Sequence, residues 1–317
     1  MPNLTKIQTP YQLTFDDLGQ HITHEESVSK IITTLETHGA VLLRGFPLKT
    51  VDDFAEVTAK FVTKPMNYIG GAAPRQNIKS AIFNSSDFAS WFYLPLHTEL
   101  SYVSNFPALI LFFCLETPEE GGRTPICDCR RILKRLPSNL CDAVRTHGVR
   151  YTRCLPKDST PYLRGWHDTF NTDDRSIAEA RCPESGWNCS WDGDDMILTS
   201  TVPGIRNHPR TKEELWFNQI HNFHSSVAEY ILRITPQDFL QEVNLANTPK
   251  QVLSETTLGD GTPFTIEQIH AIWKAFEEET IEFDWQQGDI LLLDNYLFAH
   301  GRKPFRGKRK ILVSMSY

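Results

Sequence analysis

The longest uninterrupted apolar run in this sequence, Ala108 to Leu115, falls far short of the roughly 20 residues needed to span a bilayer. The opening residues, Met1-Pro2-Asn3-Leu4-Thr5-Lys6, lack the basic and then apolar pattern of a secretory leader. Positive charge is scarce as well. Against 39 Asp and Glu stand 32 Lys and Arg, a formal charge of −7, which offers no footing for nucleic acid or an anionic membrane. Seven cysteines are too few and too scattered for a disulfide scaffold. Cys127 and Cys129 are one residue apart and no C-x-x-C pair exists, so a structural zinc site is not expected. An odd count without a leader fits a reducing compartment. No nucleophile elbow, G-x-G-x-x-G or Walker loop occurs, which removes acyl-transfer, nicotinamide and nucleotide chemistry from consideration. The expectation is a cytoplasmic protein whose partner is a small molecule, with no nucleic acid and no membrane.

What is present begins with a composition, 40% hydrophobic over 317 residues, able to bury a sizeable core. Val28, Ile31, Ile32 and Leu35 have helical spacing, and Gly39 ends that helix. Ala40 to Phe46 reads as a buried strand. Thr50 caps a second helix with Phe54, Val57 and Phe61 inward. Ala108 to Cys114 is a core strand, with Cys114 a core residue. Capping-box patterns at Thr211-Lys212-Glu213-Glu214 and Thr265-Ile266-Glu267-Gln268 start two later helices. The second of these puts Ile269, Ile272, Trp273 and Phe276 on one face. Asp289 to Asp294 and Lys310 to Met315 return to strands. Strands at both ends suggest one β core that closes when the ends meet. That makes 1–317 a single domain, with a Gly/Pro/Asp-rich insertion or lid around 155–210.

Two imidazoles and one carboxylate suffice to hold Fe(II) on one face, leaving positions open for a co-substrate and O2. His97-Thr98-Glu99 with His300 supplies that set. On a strand, His97 and Glu99 would project from the same side. The triplet alone is a weak signal in a chain with 11 His and 39 acidic residues. Its surroundings add to it. Asn105-Phe106-Pro107 and Glu120-Gly121-Gly122-Arg123-Thr124-Pro125 follow the triplet. Gln287-Gly288-Asp289 and Asp294-Asn295 precede His300, and a basic stretch from Arg302 to Arg309 follows it.

With these blocks the chain resembles the taurine dioxygenase (TauD/TfdA) superfamily of Fe(II)- and 2-oxoglutarate-dependent oxygenases, above all its clavaminate synthase-like branch. Further matching blocks are His38 to Phe46, Tyr68 to Arg75, Arg164-Gly165-Trp166, Trp216-Phe217-Asn218-Gln219 and Gly259-Asp260-Gly261. The resemblance implies a double-stranded β-helix (jelly roll) flanked by helices, mainly β in an α+β setting. It implies Fe(II) on His97, Glu99 and His300, with 2-oxoglutarate and O2 as co-substrates. The commoner acid in the superfamily is Asp. Glu99 points toward the branch in which several members oxidise amino acids.

2-Oxoglutarate needs a cation for its distal carboxylate, and the planar fork of Arg suits it. The family places such an Arg shortly after the distal His, where Arg309 stands, with Arg302 and Arg306 as rivals. A family Thr on the same carboxylate matches Thr124, which otherwise reads as a turn residue in a Gly-Gly loop. Arg164 and Trp166 either line the substrate cavity or anchor the insertion. Trp216 to Gln219 reads as a helix face or as a pocket wall in which Asn218 or Gln219 offers hydrogen bonds. His221 and His224 share a face of an expected helix but lack a third ligand, which favours a surface or packing role.

The expected activity is oxidation of an unactivated C–H bond in a small molecule, an amino acid or a compound derived from one in secondary metabolism. Hydroxylation, desaturation and cyclisation are all open, with succinate and CO2 released. The intact carboxylate ligand argues against a halogenase. The alternative is a jelly-roll protein that binds a small acid without turning it over. A degenerate protein of that kind would usually lose a ligand or the Arg, and this chain keeps all of them. A zinc hydrolase with the same ligands lacks a general base beside the motif.

Overall fold

The computed structural model describes residues 9–19, 21–66, 76–86, 88–159, 164–184, 186–240 and 254–317. The Tyr68 to Arg75 block lies outside them. A seven-stranded sheet runs in the order Tyr11–Thr14, Ala40–Arg44, Ile290–Asp294, Leu109–Glu116, Lys310–Ser316, Ile82–Asn84, Asn77–Lys79. Only the first pair is parallel. Strands from both ends of the chain thus share one sheet, with Leu109–Glu116 between the last two long ones.

The inner strands are almost wholly apolar because both of their faces are covered. Val41, Leu43, Leu111, Phe113, Ile290 and Leu292 pack with Ile31, Phe54 and Val57 of two helices. Their neighbours Leu42, Ile110, Phe112, Leu291 and Leu293 join the larger cluster on the opposite face. This is the two-residue alternation of a strand with a core on each side.

The helix signals at the N-terminal end hold. Glu25–His38 stops at Gly39, whose φ of 77° is left-handed and whose N–H donates to Leu35 O at 2.7 Å. Only a residue without Cβ fits, since a Cβ there would meet the Phe298 ring at 2.7 Å. Val51–Phe61 begins with a capping box. Asp53 N donates to Thr50 Oγ1 at 3.1 Å, and Thr50 N donates to Asp53 Oδ2 at 2.9 Å. The Lys49 backbone N–H, donating to Asp53 Oδ2 at 2.7 Å, and the bonds to that carboxyl from Thr50 hold it below its ordinary pKa against the opposing effect of burial. Ile266–Glu279 begins with a second box on Thr265 and Gln268.

The Thr211 expectation is corrected. No helix starts there. Lys212 takes a left-handed φ of 61° and Thr211 N donates to His208 Nδ1. Glu214–Trp216 becomes a strand paired with Ile205–Asn207. Leu215 and Trp216 are both fully buried there, so tertiary burial overrides a local capping pattern.

A four-stranded sheet runs Asn188–Asp192, Asp195–Val202, Val149–Leu155, Ser254–Leu258. Part of the segment expected as an insertion therefore forms sheet, and the helices Trp166–Phe170 and Arg175–Glu184 precede those strands. A three-stranded sheet runs Leu94–His97, Phe298–Arg302, Ile126–Asp128 and carries the site. Among the described residues, no helix is long and apolar enough to cross a membrane.

Candidate iron and co-substrate site

Antiparallel pairing sets His300 directly opposite His97, which is how residues so far apart in the chain become neighbours. Their rings sit 4.5 Å apart at the centroids. Gly301 makes room for the crossing, since a Cβ there would lie 2.6 Å from Leu94 O. The strand carrying His97 ends at that residue, so the expectation that His97 and Glu99 share one strand is corrected. Glu99 lies in the following turn, and Leu100 beyond it has a φ of 55°. Asn295 holds that turn. Its Oδ1 accepts from Glu99 N at 2.7 Å, and its Nδ2 donates to Glu99 O at 3.0 Å and Pro107 O at 2.7 Å. The turn still delivers the carboxylate to the imidazoles. Glu99 Oε2 is 3.8 Å from His97 Nε2 and 3.6 Å from His300 Nε2. These separations are too long for hydrogen bonds. One donor atom from each of the three residues lies within 4.8 Å of the others.

The donor set suits a cation. His97 Nδ1 faces Pro95 O at 2.8 Å. A carbonyl only accepts, so the ring proton sits on Nδ1 and leaves the Nε2 lone pair toward Glu99. A backbone carbonyl behind a histidine is the usual orienting partner of a metal ligand. Two imidazole nitrogens with one carboxylate, and space beside them, match the donor set of an open-sided iron centre.

A cavity of about 1000 Å³, its mouth included, opens on this group. Thr124 and Arg309 line it with the triad. Thr124 Oγ1 accepts from Trp285 Nε1 at 3.0 Å and from Arg309 Nη2 at 3.4 Å. With both lone pairs engaged, its hydroxyl hydrogen is what remains to offer. Arg309 Nε donates to Gly122 O at 3.0 Å. A Cβ on Gly122 would press on Arg309 Cδ at 3.0 Å, so the glycine clears the path of the guanidinium. Among the described residues Arg309 makes no ion pair. Burial pulls its pKa down to about 10, with a small opposing pull from Cys114, so it is still cationic at neutral pH.

The rival cations are placed differently. Arg306 pairs with Glu120 at 2.7 Å and Asp238 at 2.9 Å and is not among the lining residues. Arg302 lines the cavity but donates to the carbonyls of Phe88, Ala89 and Phe92.

None of the three residues expected to touch substrate lines the cavity. Arg164 donates to Asp168 O at 2.6 Å. Trp166 is buried against Trp191 and donates to Asp194 O. Asn218 is buried, donating to Gly204 O at 2.8 Å and accepting from Ile220 N. All three tie backbone segments together. Their neighbour Gln219 is the residue that reaches the cavity, with Asn222, Tyr102 and Phe223. The sequence left Asn218 and Gln219 both open, because Ile220–Phe223 is a single helical turn, too short for any periodicity to say which residue faces inward. His221 is a core residue. It is fully buried against Trp273 and Phe276, with Nε2 facing Leu96 O.

Residues 4–315 match the family model described as "Taurine catabolism dioxygenase TauD, TfdA family". The chain belongs to this family. It is 33% identical over 289 residues to a clavaminate synthase-like protein of Arabidopsis thaliana, covering 89% of this chain and 82% of that one. It is 28% identical over 282 residues to the dapdiamide synthesis protein DdaC of Enterobacter agglomerans, covering 89% and 83%. The solved structure of PvcB from Pseudomonas aeruginosa aligns with a TM-score of 0.54 at 17% identity, covering 97% of this chain and 86% of that one. At that identity the likeness speaks for the fold, a jelly-roll core with flanking helices. The family is one of Fe(II)- and 2-oxoglutarate-dependent oxygenases, and the His97–Glu99–His300 group is one that could bind the iron.

Proposed function

We propose that this protein oxidises an unactivated C–H bond of a small, amino-acid-derived molecule in secondary metabolism, releasing succinate and CO2. His97, Glu99 and His300 hold Fe(II) in this reading, while Arg309 and Thr124 hold the distal carboxylate of 2-oxoglutarate. The observation that carries it is a half-buried guanidinium, with no carboxylate partner among the described residues, in the same cavity as three converging metal donors. A cation drawn partly out of water gains from a counter-charge, and the distal carboxylate of 2-oxoglutarate would supply one. Bound iron would supply the oxidising chemistry with O2. The chain's part is to fix its ligands, anchor the co-substrate and keep water from the reacting bond. The names of the relatives support the secondary-metabolic setting, since one is a dapdiamide synthesis protein. Strands from both termini share one sheet, and we read the chain as one domain. The segment around 155–210 borders the site through Trp187, which stacks on Tyr102 of the cavity wall at 5.4 Å.

The test is spectroscopic. Protein mixed anaerobically with Fe(II) and 2-oxoglutarate is expected to show a weak visible charge-transfer band. His97→Ala is expected to abolish it. No band, with no succinate release above the background that His97→Ala also gives, would return the chain to the small-acid binder.

A further inference from the structure

The cavity wall beside Glu99 bears on the substrate, on the basis of the oxygenase reading above. Gln219 and Asn222 line it together with the triad. Gln219 Nε2 donates to Thr98 O at 2.8 Å, and Asn222 Nδ2 donates to Leu96 O at 3.2 Å. Backbone carbonyls only accept, so each bond orients its carboxamide with NH2 toward the backbone and oxygen away. Among the described residues nothing donates to Gln219 Oε1 or to Asn222 Oδ1, and the latter is sealed from solvent. Of the two, Gln219 Oε1 is the acceptor open to the cavity, and a bound donor would satisfy it.

The rest of the wall is mostly apolar, with Phe88, Phe92, Leu94, Phe223, Val227 and Ile231. The charged residues among the described lining are Glu99, Arg302 and Arg309. Glu99 faces the metal position and Arg309 the co-substrate. Arg302 is committed to three carbonyls of the segment that carries Phe88 and Phe92. A zwitterionic amino acid would bring in an ammonium with no described carboxylate to face but Glu99, and a carboxylate whose described cations are Arg302, already holding three carbonyls, and Arg309, facing the co-substrate, which disfavours it.

We propose that the substrate is an uncharged molecule with an apolar body, which presents a neutral N–H or O–H donor to Gln219 Oε1, with Asn222 Oδ1 behind it. An amino acid whose amine and carboxyl are both capped as amides has this character. A free amino acid does not.

The experiment uses protein loaded with Fe(II) and 2-oxoglutarate and reads succinate release on adding O2. N-acetyl-L-phenylalaninamide and N-acetyl-L-leucinamide are compared with free L-phenylalanine and L-leucine. The capped probes are expected to stimulate release about tenfold more than the free ones. Gln219→Leu is expected to raise KM for the capped probes by about tenfold with 2-oxoglutarate affinity unchanged. Gln219→Glu, which puts a carboxylate in the wall, is expected to shift preference toward L-phenylalaninamide, whose amine is free. Equal stimulation by free and capped probes, including none by either, overturns the proposal. So does a preference that neither substitution alters. The charge-transfer band formed without substrate tests the oxygenase reading separately. A normal band with a preference for free amino acids overturns only the substrate assignment.

Discussion

Asn295 carries more of the site than its place in the sequence suggests. It is fully buried and makes three hydrogen bonds, two of them to the backbone of Glu99. Asn295→Ala would strand a buried N–H and two carbonyls, at a cost of about 3 kcal/mol. The expected outcome is a protein that folds less stably and binds Fe(II) more weakly, read by urea unfolding and metal titration. Unchanged Fe(II) affinity would show that the Glu99 turn holds itself. Arg309 is the proposed anchor of the other ligand. Arg309→Ala is expected to weaken 2-oxoglutarate by roughly one to two orders of magnitude, the worth of a charge-assisted pair, while iron still binds. Isothermal titration of each ligand separates the two effects. If 2-oxoglutarate affinity holds, another cation is the anchor.

At the scale of elements, the three-stranded sheet makes the site by register. A slip of one residue between Leu94–His97 and Phe298–Arg302 would turn one imidazole to the far face. Gly39 ties a helix end to this sheet, because its missing Cβ is the space the Phe298 ring occupies, two residues before His300. Gly39→Ala combines left-handed strain of about 1–2 kcal/mol with that contact. It is expected to lower the urea midpoint and to weaken Fe(II) binding, and an unaltered midpoint would contradict the packing argument. Helices with capping boxes and long apolar stripes were legible from the residues, as at Thr50 and Thr265. Thr211 shows where such reading stops. The same four-residue pattern met a turn and two buried side chains that favoured a strand.

The whole molecule sets the behaviour in acid. Burial pushes His221 from its ordinary value down to about 3, opposed only in part by its bond to Leu96. The folded state keeps this imidazole neutral while the unfolded chain takes up a proton below about 6.5. Its effect on stability is therefore nil above that pH, and the fold loses stability as pH falls from about 6.5 toward 3. His221→Phe, if the core admits the ring, is expected to flatten that part of the stability curve, measured by urea unfolding at stepped pH. An unchanged slope would assign the acid sensitivity to other groups.

The metal donors were legible because their chemistry needs particular residue types, and only a few such residues stand in the right blocks. The proposed co-substrate Arg was legible only as one of three, since Arg302, Arg306 and Arg309 are alike in sequence. Placement and partners separated them: Arg306 meets carboxylates away from the cavity, Arg302 holds three carbonyls, and Arg309 meets the Gly122 carbonyl and the Thr124 hydroxyl at the cavity wall. The candidate substrate wall was legible only as one of two amides. Asn218 and Gln219 are adjacent and chemically similar, and a single turn of backbone sends one amide to Gly204 and the other to the cavity. The sequence by itself determined the class of chemistry, because ligand identity is a property of side-chain atoms. The tertiary structure decided which of several equivalent side chains face the site, because that depends on register, turn geometry and burial set by residues far along the chain.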